Sequence, residues 1–315
     1  MPVDPHYVSQ DISGRALESS EKESIRSKRV KLDPFAQHNW KSLEARDKWA
    51  DVLDRASAAM SFAEWKSVES DKTDRKAAII HVNNYNREEW LRRLSEHDLV
   101  YRDIRYSEPY EGFSHKFFPT TVDDPERNTY AVIAQNEDIA DKVEEAEVEF
   151  GVAEKHRTVG EFLGFPDCCI EHFLNTWHEK ELIDPMYETS CNTPEAVAKD
   201  GDPEDVWIED DIEPWANVLW RYFGWSFITH IPCSWSCEES LEIGRKRGEI
   251  MAENGYKDEA NALWEWLGSP HVWTGKNSIA HIRNRYITGQ SGTSSYWSKK
   301  RIVWKREHEA GGSIV

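Results

Sequence analysis

The sequence predicts an α/β fold: a central mixed sheet flanked by helices, behind a helical N-terminal region, with a mixed α+β arrangement as the variant. Three observations predict it. Strand-like and helix-like runs alternate between Ala77 and His156. An apolar stripe at helical spacing precedes them. The 315 residues suffice for one large domain or two small ones with an ample core.

In chain order, residues 1–34 are polar, with a basic run from Arg26 to Lys31, and read as a flexible tail. Residues 35–75 form the helical N-terminal region. Trp40, Leu43, Trp49, Val52, Leu53, Ala56 and Met60 fall on one stripe, and Ser61 with Glu64 matches a capping box. Residues 76–270 form the α/β part. Ala77–Val82 is a strand, Asn86–Leu94 a helix, Leu99–Tyr106 a strand, Gly112–Asp124 a loop and Thr129–Ala134 a third strand. Asn136 caps an acidic helix running to about His156, and Thr158 with Glu161 opens another. Residues 184–213 are loop-rich and carry an acidic run from Asp202 to Glu213. Pro214–Phe223 reads as a helix, Trp225–Ile231 as a strand ended by Pro232, and Asp258–Leu267 as a helix. Residues 271–315 form a basic, aromatic C-terminal segment.

Four of the five cysteines lie in two short segments, Cys168 with Cys169 and Cys233 with Cys237. Gly164-Phe165-Pro166 breaks the chain, and Asp167 stands where a helix N-cap belongs. That puts Cys168 and Cys169 in the first turn, where free N–H groups favour thiolates. Ser236 with Glu239 makes a second capping box, so Cys237 opens a helix to about Glu253 and Cys233 lies in the loop before it. At the carboxyl end of a strand, that loop is a usual ligand position in open α/β sheets.

Four thiolates suit tetrahedral Zn²⁺ or an iron–sulfur cluster. One pair has no spacer and the other has three residues, unlike zinc ribbons or common ferredoxins. This spacing tilts the expectation towards a cluster, or towards one cysteine left free for chemistry. Cys191 is a bystander or a fifth ligand. His172 and His230 are candidate ligands or proton carriers, with Glu171 and Glu238 as acid–base partners. The bland alternative is packing: buried free cysteines and histidines are common.

The run Leu163–Phe173, with Gly164-Phe-Pro-Asp-Cys-Cys, and the run His230–Ser240, with His-Ile-Pro-Cys-Ser-Trp-Ser-Cys, carry a resemblance. Together they resemble a prokaryotic domain family with a GYP-x-CC block and an H-x-PCS-x-x-C block, over residues 129–254. That resemblance implies no activity. A looser similarity is to iron–sulfur reductases that bind a cluster through a Cys-Cys pair and a later Cys-x-x-Cys pair. This chain departs from them with Cys-x-x-x-Cys.

The net charge is −19, which disfavours a generally basic nucleic-acid coat protein. Yet Lys276, Arg283, Arg285, Lys299, Lys300, Arg301, Lys305 and Arg306 fall in a stretch with no acid, interleaved with Tyr286, Tyr296, Trp297 and Trp304. Bases among stacking rings suit nucleic acid or a phosphorylated small molecule. The alternative is a basic segment neutralised by the acidic body of the chain. No apolar run reaches the ~20 residues needed to span a bilayer, and the opening lacks a secretory apolar core. The expectation is a cytoplasmic protein with no membrane partner. P-loop, Rossmann, serine-elbow and zinc-deaminase signatures do not occur. Three functions fit: a metal- or cluster-dependent enzyme acting on a nucleic-acid base or nucleotide, a zinc-stabilised nucleic-acid-binding module, or a metal-free thiol redox protein.

Overall fold

The structure, a computed structural model, describes residues 36–84, 87–108, 120–179, 188–190, 192–193, 196–200, 212–269, 271–276, 279–291 and 300–304. The expected tail, Cys191, the acidic run up to residue 211, and Tyr296, Trp297, Lys299, Lys305 and Arg306 lie outside these residues.

The elements in order are β1 Ala36–Trp40, α1 Leu43–Glu69, β2 Ala77–Asn83, α2 Arg87–Leu94, β3 Val100–Ser107, β4 Asn128–Ala134, α3 Glu137–Glu149, α4 Val152–Phe162, α5 Asp167–Phe173, β5 Ala196–Asp200, α6 Glu238–Glu253, α7 Lys257–Leu267, β6 His271–Lys276, β7 Ile279–Asn284, β8 Ile287–Ser291 and β9 Lys300–Trp304. The fold is mixed α+β, with two antiparallel sheets ordered β2-β4-β3 and β1-β8-β7-β6-β9-β5. β2 and β3, joined through α2, run parallel to each other. β4 pairs between them and antiparallel to both, so the mixed sheet expected from strand–helix–strand alternation does not form. The described residues fall into two compact units, one from Ser61–Leu174 and one from Ala36–Met60 with the chain beyond Asn175.

In the first unit the period-two pattern of β2 buries both faces of the small sheet. Ala78, Ile80 and Val82 pack with Ala131 and Ile133 against Trp65, Val68 and Leu94. Ala77, Val132 and Ala134 pack against Ala140 and Val143 of α3 on the other face. Each fully buried side chain such as Ile133 contributes about 1.5–3 kcal/mol. Asn136 caps α3 as expected, its side chain accepting from the Ile139 N–H at 3.0 Å. The helix does not continue to His156. It stops at Phe150, and Gly151 becomes the N-cap of α4, which turns so that Val159 and Leu163 pack with Ala146. The capping box at Thr158 and Glu161 therefore falls inside a helix already under way and does not form.

In the second unit the larger sheet and α7 enclose an aromatic core. Trp266 stacks on Tyr286 (5.6 Å, 17°) and meets Trp49, Trp220 and Trp225 edge-on. The stripe from Trp49 through Leu53, Ala56 and Met60 is buried on α1 as the spacing predicts. Trp40 belongs instead to β1 and Leu43 is exposed. α1 runs unbroken through Ser61–Glu64, so that capping box does not form either; Glu64 pairs with Arg75. Pro214–Phe223 is two 3-10 turns rather than a helix. Asn217 interrupts it by accepting from the Leu219 N–H (3.1 Å) and donating to the Leu267 carbonyl (2.9 Å). The last segment supplies β6, β7, β8 and β9.

Candidate metal centre

The first cysteine pair is set by a helix stop. α4 ends at Leu163 in a Schellman arrangement: the Phe165 N–H donates to the Gly160 carbonyl (2.9 Å) and the Gly164 N–H to the Glu161 carbonyl (3.0 Å). Gly164 sits at φ +67°, and a Cβ there would lie 3.2 Å from the Arg75 backbone. Pro166, not Asp167, is the N-cap of α5, so Asp167 becomes the first helical residue and the cysteines the next two. Cys169 is 2 % exposed and packs inward with Ile170 and His172, while Cys168 is exposed. Their sulfurs stand 3.8 Å apart.

The second pair is set by side-chain hydrogen bonds. Trp225–Ile231 is not a strand. Trp225, Ser226, Phe227 and Ile228 are all buried in succession, so no face alternates outward. The Ile228 carbonyl accepts from the Ser226 hydroxyl (2.8 Å) and the Phe227 carbonyl from Arg247 (3.3 Å), in place of a neighbouring strand. With that strand absent, Cys233 does not lie at a strand's carboxyl end. The loop after it rests on Thr189, Ser190, Asn192 and Thr193. Thr189 donates to the Pro232 carbonyl (2.7 Å) and Asn192 to the Cys233 carbonyl (3.1 Å). Thr193 accepts from the Trp235 N–H (2.9 Å) and lies 3.2 Å from the Ser234 hydroxyl. Ser190 accepts from the Trp235 indole (3.0 Å). Trp235, buried between the two cysteines, fixes the loop. Cys237 is the N-cap of α6 and Glu238 its first residue. Ser236 bonds Ser234 rather than the helix, so its capping box with Glu239 is not made. Sequence reasoning missed the polar cradle of Thr189, Ser190, Asn192 and Thr193; its signal was a polar run of short donors and acceptors flanking Cys191.

The four sulfurs of Cys168, Cys169, Cys233 and Cys237 all lie within 4.8 Å of one another. Two thiolates at that separation repel by about 3–4 kcal/mol at an effective dielectric near 20. A cation would relieve that repulsion, and the cluster is consistent with a metal-binding site in reach and donor type.

The other candidates are placed as follows. His230 is buried, and its Nε2 shares a 2.8 Å hydrogen bond with the Ser240 hydroxyl. His172 is buried on α5. Glu171 is exposed and pairs with Arg157 at 2.6 and 3.1 Å, which holds its carboxyl below the usual range through the Arg157 hydrogen bonds. Glu238 is exposed at the start of α6. Arg283 and Arg285 are exposed, whereas Tyr286 is committed to packing on Trp266 and Trp49. Lys276 lies in β6, and Lys300, Arg301 and Trp304 in β9. Among the described residues no helix is long and apolar enough to cross a membrane.

No family model matches the chain, and neither the curated proteins nor the solved structures include a significant match. The functional reading rests on the chemistry of the cysteine cluster.

Proposed function

We propose that the chain is a metalloprotein in which Cys168, Cys169, Cys233 and Cys237 hold one tetrahedral ion, zinc being the best fit, in a closed site that stabilises the fold. The observation that carries this reading is the sulfur spacing. A Zn–S bond of about 2.3 Å gives a tetrahedral S···S edge of about 3.8 Å. The Cys168–Cys169 sulfurs lie at 3.8 Å, and no sulfur is beyond 4.8 Å from another. An iron–sulfur cluster divides its four thiolates among two or more irons around an inorganic core and spreads the set further, so the spacing favours a single ion. Four thiolates fill the tetrahedron and leave no open position for water, which favours a structural over a catalytic metal.

On this reading the protein is a metal-stabilised binding module. Its partner class is phosphate-bearing, nucleic acid or a phosphorylated small molecule, engaged through the basic C-terminal segment. Exposed Arg283 and Arg285 support that surface. The metal reading is tested by cobalt substitution. Intense visible d–d bands with thiolate charge transfer, at one cobalt per chain, are expected for a tetrahedral four-thiolate site. Weak octahedral-type absorption, or no uptake, sinks it. The partner reading is tested by salt-dependent binding of a single-stranded oligonucleotide; equal binding by an Arg283→Glu, Arg285→Glu variant sinks that part.

A further inference from the structure

Resting on the metal reading, the asymmetry of the cluster points to a regulation of the same site. We infer that the four-thiolate centre is a peroxide-responsive switch: Cys168 is the entry point, and oxidation releases the metal through disulfides that join the two cysteine pairs. Cys168 is exposed, Cys233 and Cys237 are half-buried and Cys169 is buried. An oxidant therefore reaches Cys168 first, and site-selective oxidation follows exposed thiolate character.

The chemistry closes with hydrogen peroxide as the only added reagent. The Cys168 thiolate attacks one peroxide oxygen; the S–O bond forms, the O–O bond breaks, and hydroxide leaves. Sulfur is oxidised by two electrons and peroxide is reduced by two. A second thiolate then attacks the Cys168 sulfur, displacing hydroxide and forming a disulfide. Cys169 cannot be that partner without backbone rearrangement. Consecutive Cα atoms stand about 3.8 Å apart, short of the about 4.4–6.8 Å that a disulfide spans. Cys233 or Cys237, with sulfurs inside 4.8 Å, resolves it. A second peroxide joins Cys169 to the remaining cysteine. Four thiolates and two peroxides become two disulfides and four hydroxides, and the ion leaves as a divalent cation with no ligand retained.

The test uses the full chain, purified without oxygen and loaded with zinc. Zinc and thiols are counted first, then peroxide is titrated. Released zinc is read with a chromophoric chelator, sulfenic acid is trapped with a cyclic diketone at limiting peroxide, and disulfides are mapped by peptide mass. The expected result is trapping on Cys168, then loss of all four thiols and one zinc per two peroxides. A Cys168 bridge to Cys233 or Cys237 should appear, and zinc should rebind after a thiol reductant. Zinc and thiols unchanged in excess peroxide, first trapping on another cysteine, or a Cys168–Cys169 bridge each overturn the inference while leaving the metal reading intact. A chain that takes up no zinc before peroxide is added removes the metal reading, and this inference with it.

Discussion

Replacing His271 with phenylalanine should flatten the acid side of the stability profile. His271 is fully buried against Trp220 (ring centroids 5.6 Å), and neither ring nitrogen has a hydrogen bond in good geometry. Burial pushes its pKa down to about 3, offset in part by the Ser269 backbone. The unfolded chain takes up this proton near pH 6.5. Between those values the unfolded state binds more protons, so the group's contribution to stability is complete above about pH 6.5. It is lost as the pH falls towards 3. At pH 5.0, 1.5 units below the unfolded value, the loss is about 2 kcal/mol at 1.36 kcal/mol per unit. The assay is urea unfolding of wild type and His271→Phe at pH 7.5 and 5.0. Both proteins carry the same cysteines, so acid loss of metal cancels in the comparison. The wild type should lose about 2 kcal/mol more than the variant between the two pH values. Equal losses would show that the imidazole is protonated in the folded chain, and would refute the burial argument.

Other perturbations have equally direct readouts. Gly164→Ala imposes a left-handed backbone on a β-carbon and crowds Arg75, costing about 1–2 kcal/mol. At about 2–4 °C per kcal/mol the melting temperature should fall by several degrees; an unchanged melt would mean that the turn before the first cysteine pair is not constrained. Thr193→Val removes the hydroxyl that accepts from the Trp235 N–H and loosens the loop between Cys233 and Cys237, costing about 1–3 kcal/mol. Metal affinity should drop about 10–100-fold, as for other groups that orient ligands, in a competition titration against a chelator. Cys169→Ser, removing the buried cysteine of the proposed site, should bring zinc far below one per chain and abolish the effect of chelator on the melting temperature. Full zinc retention would show that the cluster does not hold it.

Local pattern was enough to read several elements. The α1 stripe, β2, β3, β4, the Asn136 cap and α7 each follow from periodicity or a capping side chain, because the signal and the structure both lie within a few residues. The cysteine pairs were legible as turn-then-helix segments for the same reason. What failed depended on distant partners. Trp225–Ile231 has a strand-like sequence, yet Ser226 and Arg247 take the carbonyls that a neighbouring strand would have used. The capping boxes at Ser61 and Thr158 match in residue type but lie inside helices begun earlier. The polar cradle of Thr189, Ser190, Asn192 and Thr193 was opaque because its partners lie some forty residues on. The absent spacer between Cys168 and Cys169 tilted the reading towards a cluster; their positions early in a short helix bring the two sulfurs to 3.8 Å.

The central claim is that the four cysteines hold one metal ion. The most direct measurement is elemental analysis with a visible spectrum on protein purified without oxygen and without added metal. About one zinc per chain and a colourless solution are expected. Iron with acid-labile sulfide and a broad blue absorption would replace the single ion by a cluster, and protein free of any metal would contradict the claim outright.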